Sequence, residues 1–161
     1  SLVVFIVEDD EQMMAMLADF LKNKFPEFDI RTFTTGETAL AAMGEHPHVV
    51  ILDYFLNSKE PDASNGLAIL SEIRKNNRST RVILFSSQED PAVAANAIKM
   101  GAYDYIVKNK EAFVKLESIL SHFKKHLHID SDTINKKLMV ILGSVMLIIA
   151  AIYLINFYYQ G

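Results

Sequence analysis

Acidic, hydroxyl and ammonium side chains each follow a short apolar run of the sequence. Glu8 and Asp9 follow the first run, Asp53 follows the third, and Ser86 and Lys108 end the fourth and fifth. In a parallel sheet the carboxyl ends of the strands meet at one edge, where ligands bind. Clustered carboxylates raise one another's pKa unless a cation neutralises them, and an all-oxygen ligand set favours Mg²⁺. We therefore expect a magnesium site at this edge.

A carboxylate held beside Mg²⁺ and a lysine is suited to attack phosphorus. Both cations stabilise negative charge on the transferring phosphoryl oxygens, so Asp53 and Lys108 together predict the formation of an aspartyl phosphate. A small phosphatase with an aspartyl nucleophile shares this chemistry. Such an enzyme would normally have a second acid two residues after the nucleophile, and Phe55 stands there.

Five runs rich in apolar and β-branched residues predict the strands of this sheet. Four of them are apolar throughout, as in strands that are buried on both faces, and the second alternates as an edge strand does. The runs are residues 2–7, 28–33, 49–52, 82–85 and 105–107.

Helix signals stand between these runs. An apolar face of helical spacing covers residues 11–24, residues 34–37 resemble a capping box, and Asp90 before a proline suits an N-cap. Asn65 and Asn109 precede two further apolar faces. Strand and helix therefore alternate five times, which predicts an α/β fold with a doubly wound parallel sheet.

The composition excludes several other classes of protein. The chain has no cysteine, which removes thiolate metal sites, thiol catalysis and disulfide scaffolds. Its formal net charge of -4 gives no attraction to a polyanion, so we expect no nucleic acid among its partners.

Four motifs together resemble the receiver domain of bacterial two-component response regulators. They are Ile6-Val7-Glu8-Asp9-Asp10, Asp53, Ser86-Ser87 and Gly101-Ala102-Tyr103-Asp104-Tyr105-Ile106-Val107-Lys108. The resemblance covers roughly residues 2–127 and implies the flavodoxin-like form of the five-stranded parallel fold.

The resemblance also implies a role for each matching residue. Asp53 is the implied phosphoacceptor, and Glu8 and Asp9 are implied to hold Mg²⁺ together with Asp53 and the backbone carbonyl of Phe55. Asp10 falls outside the usual acidic pair, and we interpret it as a helix cap.

Further residues are implied to sense the phosphoryl group. Ser86 bonds it, Lys108 pairs with it, and Tyr105 is the aromatic side chain whose inward or outward position reports activation. Three residues are implied to border phosphate access: Ser87, Phe55 and Gln88.

The sequence departs from the family pattern in two loops. Asn57 replaces a usual proline, and Gly66 lies 13 residues after Asp53, so the loop over residues 56–65 is about five residues longer than expected. It is either a tolerated surface insertion, since longer loops cost little closure entropy, or a recognition loop. Asn109 replaces the proline that commonly follows the lysine, which puts the usual cis peptide there in doubt.

The implied function is that of a switch within a phosphorelay. The phosphoryl donor is a phosphohistidine on a sensor histidine kinase or a histidine phosphotransfer protein, and phosphorylation changes contacts with an output protein whose identity the sequence does not give. We expect a self-phosphorylating and self-dephosphorylating signalling domain rather than a turnover enzyme, with no DNA-binding output domain. The alternative is a pseudo-receiver that is not phosphorylated and acts as a membrane-tethered interaction module.

The carboxyl-terminal part of the chain has a different composition. Residues 138–159 are uncharged and mostly apolar, and as a helix they would rise about 33 Å at ~1.5 Å per residue, enough for roughly 30 Å of bilayer hydrocarbon. We predict a receiver domain over residues 1–128, a polar and basic linker over 129–137 and a transmembrane helix over 138–159, with the receiver at the cytoplasmic face of the membrane. Small residues seven positions apart in this helix also suggest a homodimer.

Overall fold

The computed structural model of the protein describes residues 1–56 and 65–159, with side chains described up to residue 126 and again over residues 136–152. Strands and helices alternate along the chain. The strands are β1 Val3–Val7, β2 Asp29–Phe33, β3 Val49–Leu52, β4 Arg81–Ser86 and β5 Asp104–Val107. The helices are α1 Glu11–Lys24, α2 Gly36–Ala41, α3 Gly66–Asn76, α4 Pro91–Lys99 and α5 Ala112–Tyr159, with a 3₁₀ turn at Ala42–Glu45 after α2.

The five strands form one parallel sheet in the order β2-β1-β3-β4-β5. Val7 of β1 pairs with Leu52 of β3, so the two strands end side by side. The predicted doubly wound α/β fold is therefore confirmed, and so is the edge position of the alternating strand β2. This strand order brings the carboxyl ends of β1, β3, β4 and β5 to one edge of the sheet.

The central strands carry the core because helices cover both faces of a parallel sheet. Phe5, Ile51 and Leu84, one from each of the three inner strands, are at most 1% exposed. Each such side chain contributes about 2–3 kcal/mol through burial of its apolar surface. The apolar runs of the sequence are thus explained by two-sided burial.

Side-chain caps begin the helices close to the predicted positions. Asp10 Oδ1 accepts a hydrogen bond from the Gln12 N–H at 2.8 Å, and Asp90 Oδ1 accepts one from the Ala92 N–H at 2.8 Å. The cap interpretation of Asp10 is confirmed, and the caps predicted at Asn65 and Asp90 are confirmed as well.

Two predicted caps need correction in detail. Thr35 caps α2, and its partner is the N–H of Thr38, whereas the predicted box ended at Glu37. The Asn109 side chain accepts from the Glu111 N–H at 3.0 Å, within the turn that precedes α5, and the helix itself begins at Ala112. No peptide bond in the described part of the chain is cis.

The helix α5 extends well beyond the first compact unit of the chain. Residues 1–117 form one unit and residues 118–161 a second one. Within the described residues no helix is both long enough and apolar enough to cross a membrane, so the transmembrane helix predicted over residues 138–159 is not supported. The predicted domain boundaries and the homodimer remain predictions.

Candidate functional site

Three carboxylates converge at the carboxyl edge of the sheet. Glu8 and Asp9 follow β1, and Asp53 follows β3, the strand beside it. One carboxylate oxygen from each residue lies within 4.8 Å of the others. The residues are only 2%, 5% and 5% exposed, so three negative charges share a site with little water.

Lys108 connects two of these carboxylates. Its Nζ donates to Glu8 Oε2 at 2.7 Å and lies 3.1 Å from Asp53 Oδ2. The ammonium also lies 5.9 Å from the centre of the Phe85 ring, on the buried strand β4. This packing restricts the direction in which the lysine extends. Sequence reasoning missed Phe85, because a buried aromatic residue within an apolar run carries no local sign of a cation above it.

Burial makes the negative charges costly. It raises the pKa of Glu8 to about 7, against the opposing effect of the Lys108 hydrogen bond, and the charge of Asp53 adds to the rise. Burial also raises the pKa of Asp53, while Lys108 opposes this shift. One ammonium therefore does not fully compensate the carboxylates, and a further cation would stabilise their charged forms.

The site fits a hard divalent cation. Oδ1 of Asp53 is buried and has no hydrogen-bond donor within the described part of the chain. Its neighbours Glu8 and Asp9 supply further carboxylate oxygens at a spacing that a metal ion can bridge. Oxygen ligands of this kind are those that Mg²⁺ prefers, so these three residues are suited to hold it.

Gly66 packs closely against the backbone of Asp53 and Tyr54. A Cβ at Gly66 would lie 2.3 Å from the carbonyl oxygen of Asp53 and 2.9 Å from Cα of Tyr54. Only glycine, which has no side chain, avoids these steric clashes. The Gly66 N–H also donates to the Tyr54 carbonyl at 2.9 Å. The sequence marked Gly66 as the start of a helix and as the end of the long loop after Asp53, but it did not predict this close approach, which joins segments on the two sides of that loop.

Ser86, Gln88 and Tyr105 form a second cluster of contacts at the ends of β4 and β5. The fully buried Ser86 Oγ accepts from the Gln88 N–H at 3.0 Å, and the Tyr105 hydroxyl donates to the Gln88 carbonyl at 2.9 Å. Tyr105 is 7% exposed, and burial raises its pKa. Its ring therefore occupies the inward position, and its hydroxyl is hydrogen-bonded to Gln88, the residue to which Ser86 is also hydrogen-bonded.

The remaining predicted residues lie at the rim. Phe55 is 40% exposed, and its ring packs edge-on against that of Tyr54 with centroids 4.8 Å apart. Ser87 is exposed. The roles of Phe55, Ser87 and Gln88 in phosphate access stay predictions, and so does the Phe55 carbonyl as a ligand. Asn57 and most of the long loop lie outside the described residues.

A family model described as the response regulator receiver domain matches residues 4–120. The chain belongs to this family. The receiver assignment predicted from the four motifs is thereby confirmed.

Curated relatives agree with the receiver assignment. An NtrX-like response regulator of Rickettsia bellii is 40% identical over 106 residues, which are 65% of this chain and 21% of the relative. The transcriptional regulatory protein CssR of Bacillus subtilis is 28% identical over 123 residues, 74% of this chain and 52% of that protein. The chain thus spans about a fifth to a half of these relatives.

Solved receiver structures share the fold. The receiver domain of NtrX from Brucella abortus is 29% identical with a TM-score of 0.62, and the match covers 74% of this chain and 94% of that one. In a CheX-CheY-BeF3-Mg complex from Borrelia burgdorferi, the matched chain is 25% identical with a TM-score of 0.65, over 76% of this chain and 89% of that one. The flavodoxin-like receiver fold is therefore shown.

Proposed function

We propose that this receiver accepts a phosphoryl group on Asp53 from a phosphohistidine, in a reaction that depends on Mg²⁺, and that the aspartyl phosphate shifts the domain to a second conformation. The observation that supports this most directly is the buried Asp53 carboxylate beside Glu8, Asp9 and the Lys108 ammonium. This is a nucleophile with one cation and potential ligands for a second beside it, an arrangement suited to phosphoryl transfer.

The proposed reaction moves one phosphoryl group between two side chains. An oxygen of the Asp53 carboxylate attacks phosphorus, the bond from phosphorus to the donor histidine nitrogen breaks, and the histidine leaves as the neutral imidazole after taking up a proton. Water later attacks the acyl phosphate, which returns the Asp53 carboxylate and inorganic phosphate. The domain is thus a stoichiometric acceptor that resets itself.

Each residue of the site has a separate task. Glu8 and Asp9 would hold Mg²⁺, which when bound neutralises charge on the phosphoryl oxygens. Lys108 already lies 3.1 Å from Asp53 Oδ2, so its ammonium is placed to pair with a phosphoryl group attached there. Burial excludes water from the carboxylate and strengthens these charge interactions.

The switch is proposed to act through Ser86 and Tyr105. A phosphoryl group on Asp53 would draw the Ser86 hydroxyl towards it, and this hydroxyl now accepts from the Gln88 N–H. The Tyr105 hydroxyl donates a hydrogen bond to the carbonyl of the same residue, Gln88. Phosphorylation of Asp53 would therefore change the fraction of molecules in which the Tyr105 ring occupies the inward position.

The partners follow from the proposed chemistry. The phosphodonor is a sensor histidine kinase or a histidine phosphotransfer protein, and the output partner is a protein that distinguishes the two conformations. We propose that the receiver works in the cytoplasm, because such donors transfer phosphate there. The expectation that nucleic acid is not a partner stays a prediction.

Intact mass after exposure to acetyl phosphate tests this function. With Mg²⁺ we expect a gain of about 80 Da, the mass of one phosphoryl group, and no gain without Mg²⁺. Asp53→Asn is expected to abolish the gain, whereas the control Asp19→Asn, at an exposed position on α1, is expected to keep it. A gain that persists in Asp53→Asn would contradict the assignment of the acceptor.

The alternative function is an interaction module that is not phosphorylated. It is favoured by Asn57 and the long loop that follows the acceptor, both of which depart from the family pattern. Absence of any mass gain, under conditions in which another receiver reacts, would support this alternative. A titration with Mg²⁺ then distinguishes a site that binds Mg²⁺ but is not phosphorylated from one that neither binds Mg²⁺ nor is phosphorylated.

A further inference from the structure

Two histidines lie one helical turn apart on α5, away from the carboxylate site in the sequence. His122 and His126 are four residues apart, and the centres of their imidazole rings are 4.2 Å apart, with the ring planes at 64° to each other. Both belong to the second compact unit of the chain, which begins at Ser118. We call these two residues the histidine pair, and the proposed phosphorylation does not use it.

The histidine pair lies on the exposed side of α5. Both of its residues are exposed, whereas Leu120 and Phe123, which point in other directions from the same turns of the helix, are buried. Burial of these apolar side chains determines which side of the helix faces solvent. A metal ion and its water ligands therefore reach both imidazoles without displacing a buried side chain.

The helical backbone sets the spacing of the two imidazoles. Because α5 is continuous over Ala112–Tyr159, residues four apart lie on one face with their Cβ atoms about 5–6 Å apart. Two histidines with this i, i+4 spacing bind one zinc ion in the helical His-Glu-x-x-His motif. Phe123 stands where that motif has its glutamate, the general base. The pair is therefore suited to metal binding rather than to metal-assisted hydrolysis.

The ring nitrogens of the histidine pair are available as ligands. Within the described part of the chain, neither imidazole forms a hydrogen bond or an ion pair, and their ring contacts are with each other and with Phe123. His48, in contrast, has a structural contact, because its Nδ1 accepts from the Val3 N–H at 3.1 Å. Nor does the pair stabilise a helix end, since α5 continues well beyond it.

We propose that the histidine pair binds a divalent transition-metal cation such as Zn²⁺ through one nitrogen of each imidazole, with water completing the coordination. Imidazole nitrogen suits Zn²⁺, Ni²⁺ and Cu²⁺, whereas Mg²⁺ prefers oxygen ligands. Lys124 and Lys125, between the two histidines, offer no ligand atom as ammonium groups, and their charge favours a weak, exchangeable site over a tight one. The chain thus has a second metal site whose preference differs from that of the carboxylates.

Metal binding would stabilise one turn of α5. A cation held by both imidazoles binds the helical form of residues 122–126 and not an unfolded one, and a ligand that binds only the folded form stabilises it. This turn lies just beyond the first compact unit, residues 1–117. Occupancy of the histidine pair would therefore stabilise the start of the second unit.

A titration of the full chain with Zn²⁺ tests this proposal, followed through the imidazole C–H signals of the histidines. The sample contains excess Mg²⁺, which competes for carboxylate ligands but not for imidazoles. We expect the signals of His122 and His126 to shift and to saturate at one Zn²⁺ per chain. Asp53→Asn is expected to give the same curve, so failure of the metal site and failure of the proposed phosphorylation are distinguishable.

Histidine variants test whether the pair is responsible. His122→Ala and His126→Ala are each expected to weaken zinc binding by about tenfold or more, since each removes one of two protein ligands. His46→Asn is the matched control, because it removes another exposed histidine, and it should keep the wild-type affinity.

A relocated pair tests the spacing. Ser121→His combined with His122→Ser keeps the composition and changes two exposed positions. It places the histidines five residues apart, about 140° around the helix axis, so that they no longer share a face. We expect the same loss of zinc affinity as in His122→Ala.

Three results would overturn the proposal. Loss of zinc binding in excess Mg²⁺ would place the metal at the carboxylates. Wild-type affinity in the relocated pair would show that one histidine is enough, and an equal loss in His46→Asn would show that zinc binds histidines without selection. The substituted positions are exposed, so the variants are expected to fold, and far-ultraviolet circular dichroism checks this; His126→Ala decides the outcome if His122→Ala does not fold.

Discussion

The ammonium of Lys108 lies 3.1 Å from Oδ2 of Asp53, although 55 residues separate the two in the sequence. The contact forms because β3 and β5 flank β4 in the sheet and Lys108 follows β5. Among the described residues, Lys108 is the only one whose side-chain cation forms an ion pair with Asp53, the proposed phosphoacceptor. Loss of this cation should therefore affect the chemistry more than the fold.

Lys108→Met tests this expectation. Without the ammonium, charge that develops on the phosphoryl oxygens loses a fixed partner, and we expect phosphorylation by acetyl phosphate to slow by about 100-fold. The initial rate of mass gain measures it. Lys110→Met, at an exposed position two residues further on, is the control and is expected to keep the wild-type rate. Equal rates in the two variants would contradict the proposed role.

Gly66→Ala is expected to disturb the acceptor through its backbone. The added Cβ would meet the Asp53 carbonyl at 2.3 Å, so the strand end or the start of α3 must move. We expect a loss of about 1–3 kcal/mol in the free energy of unfolding, as for an overpacked core, together with slower phosphorylation. Urea denaturation and intact mass measure the two effects. Gly44→Ala has open space around its Cβ and should change neither.

The partly exposed Phe55 ring is expected to slow hydrolysis of the aspartyl phosphate. It stands two residues after the acceptor, where it would obstruct the approach of water. We expect Phe55→Asn to shorten the lifetime of the phosphorylated form several-fold, measured as loss of the added mass after the phosphodonor is removed. Val114→Ala, which also trims an exposed apolar side chain, is the control. An unchanged lifetime in Phe55→Asn would refute the idea.

Ser86 and Tyr105 are expected to be energetically coupled because both bond to Gln88. Tyr105→Phe removes the 2.9 Å hydrogen bond to the Gln88 carbonyl and should cost about 1 kcal/mol in the free energy of unfolding. In a double-mutant cycle with Ser86→Ala we expect a coupling energy of about 0.5 kcal/mol or more. Strict additivity would show that Gln88 does not link the two side chains.

Acid is expected to weaken the fold through His48. Its Nδ1 accepts from the Val3 N–H at 3.1 Å, and burial lowers its pKa below the ordinary 6.5. The unfolded chain therefore binds a proton at this position more readily, so His48 contributes a loss in the free energy of unfolding as the pH drops below about 6.5, opposite in sign to the contribution of Glu8, whose pKa is raised. Urea denaturation at several pH values measures this effect.

His48→Asn should remove this contribution, so that acidification lowers the free energy of unfolding less, or raises it more, than in the wild type, since an amide oxygen can accept the same hydrogen bond without titrating. His46→Asn is the matched control. His46 is exposed with φ of 53°, a left-handed conformation that asparagine tolerates. The control is expected to keep the wild-type pH profile, and the same change of profile in both variants would contradict the role of His48.

The sequence by itself determined the order of the elements and the residues of the acid cluster. The strands are near-continuous apolar runs because helices cover both faces of the sheet, and the functional residues follow those runs directly. The positions of Glu8, Asp9, Asp53 and Lys108 at the ends of these runs were therefore enough to predict that they share one edge. The prediction of a transmembrane helix, which rested on the length and hydropathy of the apolar run and on the basic and aromatic residues at its two ends, is not supported within the described residues.

Only the tertiary structure decided how these residues contact one another and the rest of the chain. The place of Phe85 beneath Lys108 and the approach of Gly66 to the Asp53 carbonyl each join segments that are distant in the sequence. Such contacts depend on strand order and on the direction of side chains. No local pattern encodes them, because hydrophobic periodicity specifies which face of an element is buried but not which neighbour it meets.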